Sequence, residues 1–178
     1  MAFPSTYTVG ITSLGYQIVW ATLAMRPDLD VRRLFTDQSD PPHRQTDLFG
    51  LSLSWELDGP VLLDLLEQQR IPLWSEQRTD QDPIVFGGGP VLTANPEPLA
   101  PFFDVVLLGD GEELLPSFID TLQEVRAESR SVRLRRLAQV PGVYVPSLYA
   151  PRYGSDGSLT SIDPIETDLP TTVSKQTW

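Results

Sequence analysis

The sequence contains no cysteine, and this absence excludes several kinds of chemistry. Without thiols the chain forms no disulfide, offers no cysteine nucleophile and holds no iron–sulfur cluster by itself. The single histidine, His43, lies in a proline-containing segment, and the single lysine, Lys175, lies in a C-terminal stretch without an apolar pattern. A Ser-His-Asp triad or a Schiff-base lysine would depend on these two residues. We therefore predict no catalytic residue and no metal site in this chain.

Long apolar runs and an excess of basic residues are also missing. No stretch approaches the roughly 20 apolar residues of a membrane-spanning helix, and the start lacks the pattern of a signal peptide. The 24 acidic residues outnumber the 13 basic ones, which gives a net charge of −11. Such a charge disfavours contact with nucleic acid or anionic lipid. We predict a soluble, cytoplasmic protein without nucleic-acid or membrane partners.

Short apolar or β-rich segments alternate with helical patterns in the first three quarters of the chain. The predicted strands are residues 7–11, 31–35, 48–53, 83–86 and 104–108. Helices are predicted at 16–25, 58–69, 114–125 and 131–139, whereas the polar connection 36–47 is expected to be a loop. This alternation is typical of parallel βαβ units. We expect an α/β domain over residues 1–140, a doubly wound, five-stranded parallel sheet of flavodoxin-like or Rossmann-like type.

The pattern changes after Pro141. Residues 144–153 and 159–165 alternate around the turn Gly154-Ser155-Asp156-Gly157, which favours a β-hairpin. We predict a hairpin appendage over residues 141–166 and a linker over residues 167–178.

Glycine-bearing turns follow three of the predicted strands and mark the candidate site. They are Ser13-Leu14-Gly15, Gly87-Gly88-Gly89-Pro90 and Gly109-Asp110-Gly111. Ligands of doubly wound sheets bind outside the carboxyl ends of the strands, and glycine lets the backbone approach a ligand closely. A ligand cleft and plain strand-to-helix turns are both consistent with this pattern.

The side chains near these turns also allow two interpretations. Glu112 and Glu113 at a helix start interact favourably with the helix dipole, and they argue against a phosphate there. Trp55, Glu56 and Tyr16 would lie at the same edge, where the aromatic rings either support a flat ligand or pack on the sheet. The first loop is neither a P-loop nor a GxGxxG fingerprint.

Four longer segments resemble a known family, the N-terminal region of cobalamin-binding-domain radical SAM proteins, and are most similar to its cyanobacterial members. They are FPSTYTVGITSLGYQ, LFGLSLSWELDGPVLLDLLEQQRIPL, VFGGGPVLTANPEPLAPFFDVVLLGDGEELL and LRRLAQVPGVYVPSLY. The resemblance covers nearly the whole chain. The GGP-x-x-x-x-NPEP-x-x-x-FFD spacing and the GDGEE segment are its most specific parts.

This resemblance implies a domain with a cobalamin-binding fold that precedes a radical SAM domain in a larger enzyme. The radical SAM domain would hold the 4Fe-4S cluster and S-adenosylmethionine, and it would be the partner of this chain. The family motif Asp-x-His-x-x-Gly is missing, so cobalamin would bind without a lower axial histidine. By position, the resemblance assigns corrinoid contacts to Thr12, Ser13, Leu14, Gly15, Tyr16, Ser54, Trp55, Glu56, Gly88, Gly89, Pro90, Gly109, Asp110, Gly111 and Glu112.

Two other functions stay open at the level of sequence. In the first, the cleft is degenerate and the domain serves as an interaction module that docks the catalytic domain. In the second, the cleft binds a flavin or another nucleotide, which a yellow chromophore in the purified protein would favour.

Overall fold

Six helices and six strands make up the described part of the chain, residues 1–38 and 46–177 of a computed structural model. The helices are α1 (Tyr7–Gly10), α2 (Leu14–Ala24), α3 (Asp58–Gln68), α4 (Pro90–Ala94), α5 (Gly111–Glu124) and α6 (Arg130–Leu137). The strands are β1 (Leu48–Ser52), β2 (Ile84–Gly88), β3 (Val105–Leu107), β4 (Val143–Tyr144), β5 (Tyr149–Tyr153) and β6 (Leu159–Pro164). The three single-turn 3-10 helices are Ser75–Gln77, Ala100–Phe102 and Pro146–Leu148.

The main sheet has four strands in the order β1-β2-β3-β4 and is mostly parallel. β1, β2 and β3 run parallel, with Leu48 opposite Ile84 and Phe86 opposite Val105, whereas β4 is antiparallel to β3. Beyond β1, Ala2 forms parallel bridges with both Leu51 and Leu34. The predicted strands at 48–53, 83–86 and 104–108 are confirmed, and so is a mixed α/β architecture.

The core lies between this sheet and the helices on its faces. The middle of β1 is buried, as its near-continuous apolar sequence predicts. Phe86 and Met1 fill the space beside Gly50, so a larger residue at this position would clash with them. Phe86 in turn packs on Phe118 of α5, with ring centroids 5.1 Å apart. The predicted apolar stripe of α5 is buried along its length, at Leu114, Leu115, Phe118, Ile119 and Leu122.

The strand predicted at residues 7–11 is wrong, because this segment forms the short helix α1. The strand position beside β1 belongs to Ala2, whose N–H donates to the Gly50 carbonyl at 2.7 Å. The chain then turns over the end of the sheet, where Gly10 packs against Phe35. Local β propensity is overridden here by tertiary packing.

The second predicted strand is reduced to single bridges. Leu34 pairs with Ala2, and Phe35 pairs with Gln38. Past this point the Thr36 N–H still donates to the Ser5 carbonyl at 2.9 Å, and the Tyr7 N–H, at the start of α1, donates to the Asp37 carboxylate at 2.7 Å. His43 and part of the predicted loop 36–47 lie outside the described residues.

The C-terminal hairpin is confirmed as a separate two-stranded antiparallel sheet of β5 and β6. Tyr144, however, does not start it, because Val143 and Tyr144 extend the main sheet as β4. The described part of the segment predicted as a linker, residues 167–177, returns to the domain. Leu169 is buried and Gln176 forms a parallel bridge with Gly109.

Candidate functional site

The candidate site is the carboxyl edge of the sheet, defined here as residues 3–6, 53–57, 89–90 and 108–110, which follow Ala2, β1, β2 and β3. α3, α4 and α5 start next to this edge. α2 also starts at this edge, because it connects the segment at Ala2 to the parallel segment at Leu34.

The turn after β1 holds one side chain in solvent and fixes the backbone around it. The N–H groups of Ser54 and Trp55 both donate to the Asp58 carboxylate at 2.9 Å. Asp58 is the first residue of α3, so these two hydrogen bonds hold the turn against the start of that helix. With its backbone held, Trp55 is 71% exposed, and Glu56 is exposed beside it. The rigid turn therefore presents an aromatic ring at the carboxyl end of β1.

The turn after β2 packs against the turn after β1. The Leu53 N–H donates to the Gly88 carbonyl at 2.9 Å. Gly89 has φ of 107°, and a Cβ there would collide with the Leu53 carbonyl oxygen. Pro90 follows at the first turn of α4, where its missing N–H costs nothing. Close contact with the Leu53 backbone of this chain is thus sufficient to explain why residue 89 is a glycine.

The turn after β3 contacts the C-terminal segment of the same chain. Gly109 has φ of 125°, and a Cβ there would collide with the backbone of Gln176. The Asp110 N–H donates to the Gln176 carbonyl at 2.9 Å. At Gly111, a Cβ would lie 2.8 Å from Val19 of α2. Glu112, half-buried, stands in the first turn of α5, where the helix dipole favours a carboxylate.

The connection from α1 to α2 divides into buried and exposed residues. Tyr16 is fully buried, and its hydroxyl donates to the Met1 carbonyl at 3.0 Å. Burial raises the pKa of Tyr16 above its ordinary range. Thr12 donates through its hydroxyl to the Val9 carbonyl at 2.8 Å, and Ser13 immediately precedes α2. Tyr16 therefore packs in the protein and does not face the edge.

Leu14 and Gly15 complete this connection at the exposed start of α2. Leu14 is 73% exposed, and a Cβ at Gly15 would have no heavy atom within 4 Å. This is the one predicted glycine turn whose glycine faces open space.

The structure thus brings some of the predicted residues together and separates others. Ser54 and Gly89 lie on adjacent turns. Gly109 lies close to α4, because its N–H donates to Thr93 Oγ1 at 3.3 Å. Sequence reasoning missed Thr93, Asp58 and Gln176, which shape these turns. The aspartate three residues after Trp55 is a recognisable turn signal for Asp58, whereas no local signal indicates Gln176.

Two large apolar side chains of the carboxyl edge are exposed, Trp55 and Leu57 in the turn after β1, and Leu57 is 86% exposed. Val9 and Leu14 are exposed near the start of α2. Where such side chains form a contiguous patch, they mark a contact surface.

The opposite, amino-terminal edge is closed by a buried ion network that sequence reasoning also missed. Asp104, which precedes β3, is 2% exposed and accepts hydrogen bonds from Arg78 at 3.0 Å and Arg130 at 2.6 Å. The same oxygen accepts the Val85 N–H at 2.7 Å. Burial lowers the pKa of Arg78, and the Asp104 carboxylate opposes that shift. The remaining guanidinium N–H groups mostly donate to backbone carbonyls, so the network is structural.

A cavity of about 830 Å³ lies near this amino-terminal edge, beside Leu48 at the start of β1 and Leu122 near the end of α5. Ion pairs at its rim join Arg32 to Asp30 at 3.5 Å and Asp47 to Arg126 at 2.9 Å. The cavity is therefore separate from every predicted site residue.

Neither a metal-binding cluster nor a membrane-spanning helix is present in residues 1–38 and 46–177. No group of three His, Asp or Glu side chains in this part of the chain is placed to hold a metal ion. None of the described helices combines the length and hydropathy needed to span a bilayer.

The fold and its edge define an α/β module with a mainly parallel sheet and an apolar carboxyl edge. A family model described as radical SAM proteins, N-terminal, matches residues 18–146. The match spans most of the sequence, and the chain belongs to this family of N-terminal domains of radical SAM proteins. No curated protein matches the chain.

Proposed function

We propose that this chain is the docking module of a radical SAM enzyme and that it holds the catalytic domain at the carboxyl edge of its sheet. The cluster and S-adenosylmethionine would belong to the catalytic domain, because this chain has no cysteine to bind iron. The module would contribute position and contact, not a reacting group.

The observation that carries the proposal is the exposure of Trp55 and Leu57. Both follow β1, whose middle is buried, and the two amides bonded to Asp58 fix the turn that presents them. Burying a side chain of this size is worth about 1.5–3 kcal/mol. Large aromatic anchors of this kind often dominate the energy of an interface.

The path of the chain supports the same edge. After the hairpin, the backbone returns to the turn after β3, where Gln176 lies beside Gly109. The C-terminal segment at Gln176 therefore lies at the same edge as Trp55 and Leu57.

The order of the paired segments supports the finer fold that we propose, a five-stranded doubly wound sheet. With its bridges included, the parallel order is Leu34, Ala2, β1, β2, β3. In chain order this is 2-1-3-4-5, the flavodoxin-like order. The reversal of strand order falls between Ala2 and β1, next to Trp55.

Titration of this chain with the separately purified radical SAM domain of the same enzyme tests the proposal. Calorimetry should show stoichiometric binding, and Trp55→Ser and Leu57→Ser should each weaken the affinity about tenfold or more, as expected for an anchor worth at least 1.4 kcal/mol.

The matched controls are Tyr153→Ser and Leu159→Ser at the hairpin tip, where the side chains are also exposed. They should leave the affinity unchanged. Equal losses at the hairpin tip, or full affinity in the Trp55 and Leu57 variants, would contradict docking at the carboxyl edge.

A second candidate function is corrinoid binding between the module and the catalytic domain, and exposed Trp55 is the observation that favours it. The fit is partial. Gly89, Gly109 and Gly111 all face atoms of this chain, so they provide no open cradle. The exposed predicted residues that would remain to contact a corrinoid are Thr12, Leu14, Gly15, Trp55, Glu56 and Pro90.

Titration with hydroxocobalamin, followed by desalting and absorbance, tests this second candidate. Retained stoichiometric corrinoid that is lost in Trp55→Ser and kept in Trp74→Ser would support it, since Trp74 is also exposed but follows α3 at its far end. A colourless wild-type protein, alone and in the full-length enzyme, would count against it.

A further inference from the structure

The C-terminal segment from Ser174 to Gln176 is held at the carboxyl edge like an added strand. The Gln176 N–H donates to the Leu108 carbonyl at 3.0 Å, and the Gln176 carbonyl accepts the Asp110 N–H at 2.9 Å. These two bonds make a parallel bridge between Gln176 and Gly109. Gln176 also folds its side-chain amide back onto the Ser174 carbonyl at 2.8 Å.

Two glycines form the slot that receives this segment. Gly109 and Gly142 both have positive φ, at 125° and 79°. A Cβ at Gly109 would meet the Gln176 backbone, and one at Gly142 would lie 2.5 Å from Leu114 Cδ2 and 2.6 Å from Gln176 Cγ. An alanine at either position would be strained and would also occupy the space that the segment needs.

The chain before the segment is fixed at several further points. Leu169 is buried, and the Tyr149 hydroxyl donates to the Pro170 carbonyl at 2.9 Å. The Gln139 side chain donates to the Asp168 carbonyl at 3.2 Å, and Val173 packs against the core. The segment predicted as a linker is therefore anchored along its course.

We propose that residues 174–176 form a releasable strap, docked in the slot of Gly109 and Gly142, that covers the turn after β3. The docked state of the strap follows from its contacts, whereas any part it plays in holding the catalytic domain rests on the proposed docking function. Because the docked strap uses the Leu108 carbonyl and the Asp110 N–H, these two groups are not available to another ligand at the turn after β3.

The single lysine of the chain makes the strap directly testable. Endoproteinase Lys-C can cut only after Lys175, at the bond whose nitrogen donates to the Leu108 carbonyl. A protease needs this bond free and extended, so cleavage of the native protein reports release of the strap. Mass spectrometry would follow the loss of the residues after Lys175.

Wild-type protein should be cut at least about tenfold more slowly than Gly109→Ala or Gly142→Ala. Gly157→Ala is the matched control, because Gly157 also has positive φ, of 80°, but has no heavy atom near its Cβ position. It should be cut at the wild-type rate. Circular dichroism would show that each variant is folded.

Amide hydrogen exchange of the wild-type protein keeps the test independent of any variant. The Gln176 and Asp110 amides should exchange slowly, because both donate to backbone carbonyls. Fast exchange at Gln176, or equal Lys-C rates in wild-type and Gly109→Ala protein, would overturn the strap. Neither result bears on docking at Trp55, since the catalytic domain is absent from both assays.

Discussion

The two edges of the parallel sheet are built in opposite ways. The amino-terminal edge is closed by the buried carboxylate of Asp104 and the guanidinium groups of Arg78 and Arg130. The carboxyl edge has glycine turns and exposed apolar side chains, with Trp55 and Leu57 in solvent. Most guanidinium N–H groups of Arg78 and Arg130 at the first edge donate to Asp104 or to backbone carbonyls, whereas the second edge exposes apolar side chains. We propose that the first edge serves stability and the second serves contact.

The largest effect is expected from Asp104→Ala, which would leave two buried guanidinium groups without their carboxylate. Breaking a buried ion pair from one side costs about 3–5 kcal/mol. Urea unfolding should show a loss of this size. Asp47→Ala is the control, because its pair with Arg126 is exposed and worth about 0–1 kcal/mol. Similar losses in the two variants would show that the buried ion network stabilises the protein no more than an exposed ion pair does.

A smaller loss is expected at the carboxyl edge from Gly89→Ala. The substitution places a Cβ at positive φ against the Leu53 carbonyl, and strained backbone of this kind costs on the order of 1–3 kcal/mol. Thermal unfolding of this variant should be compared with that of Gly15→Ala. Gly15 lies in α2 with open space around it, so alanine there should be neutral or slightly stabilising. A neutral Gly89→Ala would show that the turn after β2 is loosely packed.

The smallest effect concerns an ion pair away from both edges, between Arg135 of α6 and Glu166. Hydrogen bonds from Arg135 hold the pKa of Glu166 below its ordinary value. A lowered carboxyl pKa contributes stability above the ordinary glutamate range, and this contribution is lost as pH falls through the lowered pKa. The melting temperatures of wild-type and Glu166→Gln protein should therefore differ slightly at neutral pH and converge in acid.

Glu124→Gln is the control for this ion pair, because Glu124 pairs with Arg136 at a longer distance of 3.5 Å. At neutral pH it should lower the melting temperature less than Glu166→Gln does. A Glu166→Gln difference that grew on acidification would contradict the sign of the argument.

The centre of the fold could be predicted from local sequence. Buried apolar runs identified β1 and β3, and the stripe of α5 identified its buried face. The first strand could not be predicted, since Ala2 has no β pattern and is placed by its pairing with Leu51. Tyr7 lies in a β-rich segment but forms helix, because Ala2 already occupies the strand position beside β1.

The turns after β2 and β3 could be predicted from the sequence, but not the reason for their glycines. Whether a glycine faces a ligand or the chain itself depends on distant residues. Glycine is required at position 109 by contact with Gln176 and at position 89 by contact with Leu53. No local sequence pattern predicts either contact.

The most direct test of the central claim is amide hydrogen exchange of this chain, alone and within the full-length enzyme. We predict slower exchange in the full-length enzyme at residues 53–57 of the carboxyl edge. The hairpin tip, residues 153–159, should exchange equally in both. Protection at the hairpin tip with no change at residues 53–57 would contradict the proposed docking of the catalytic domain.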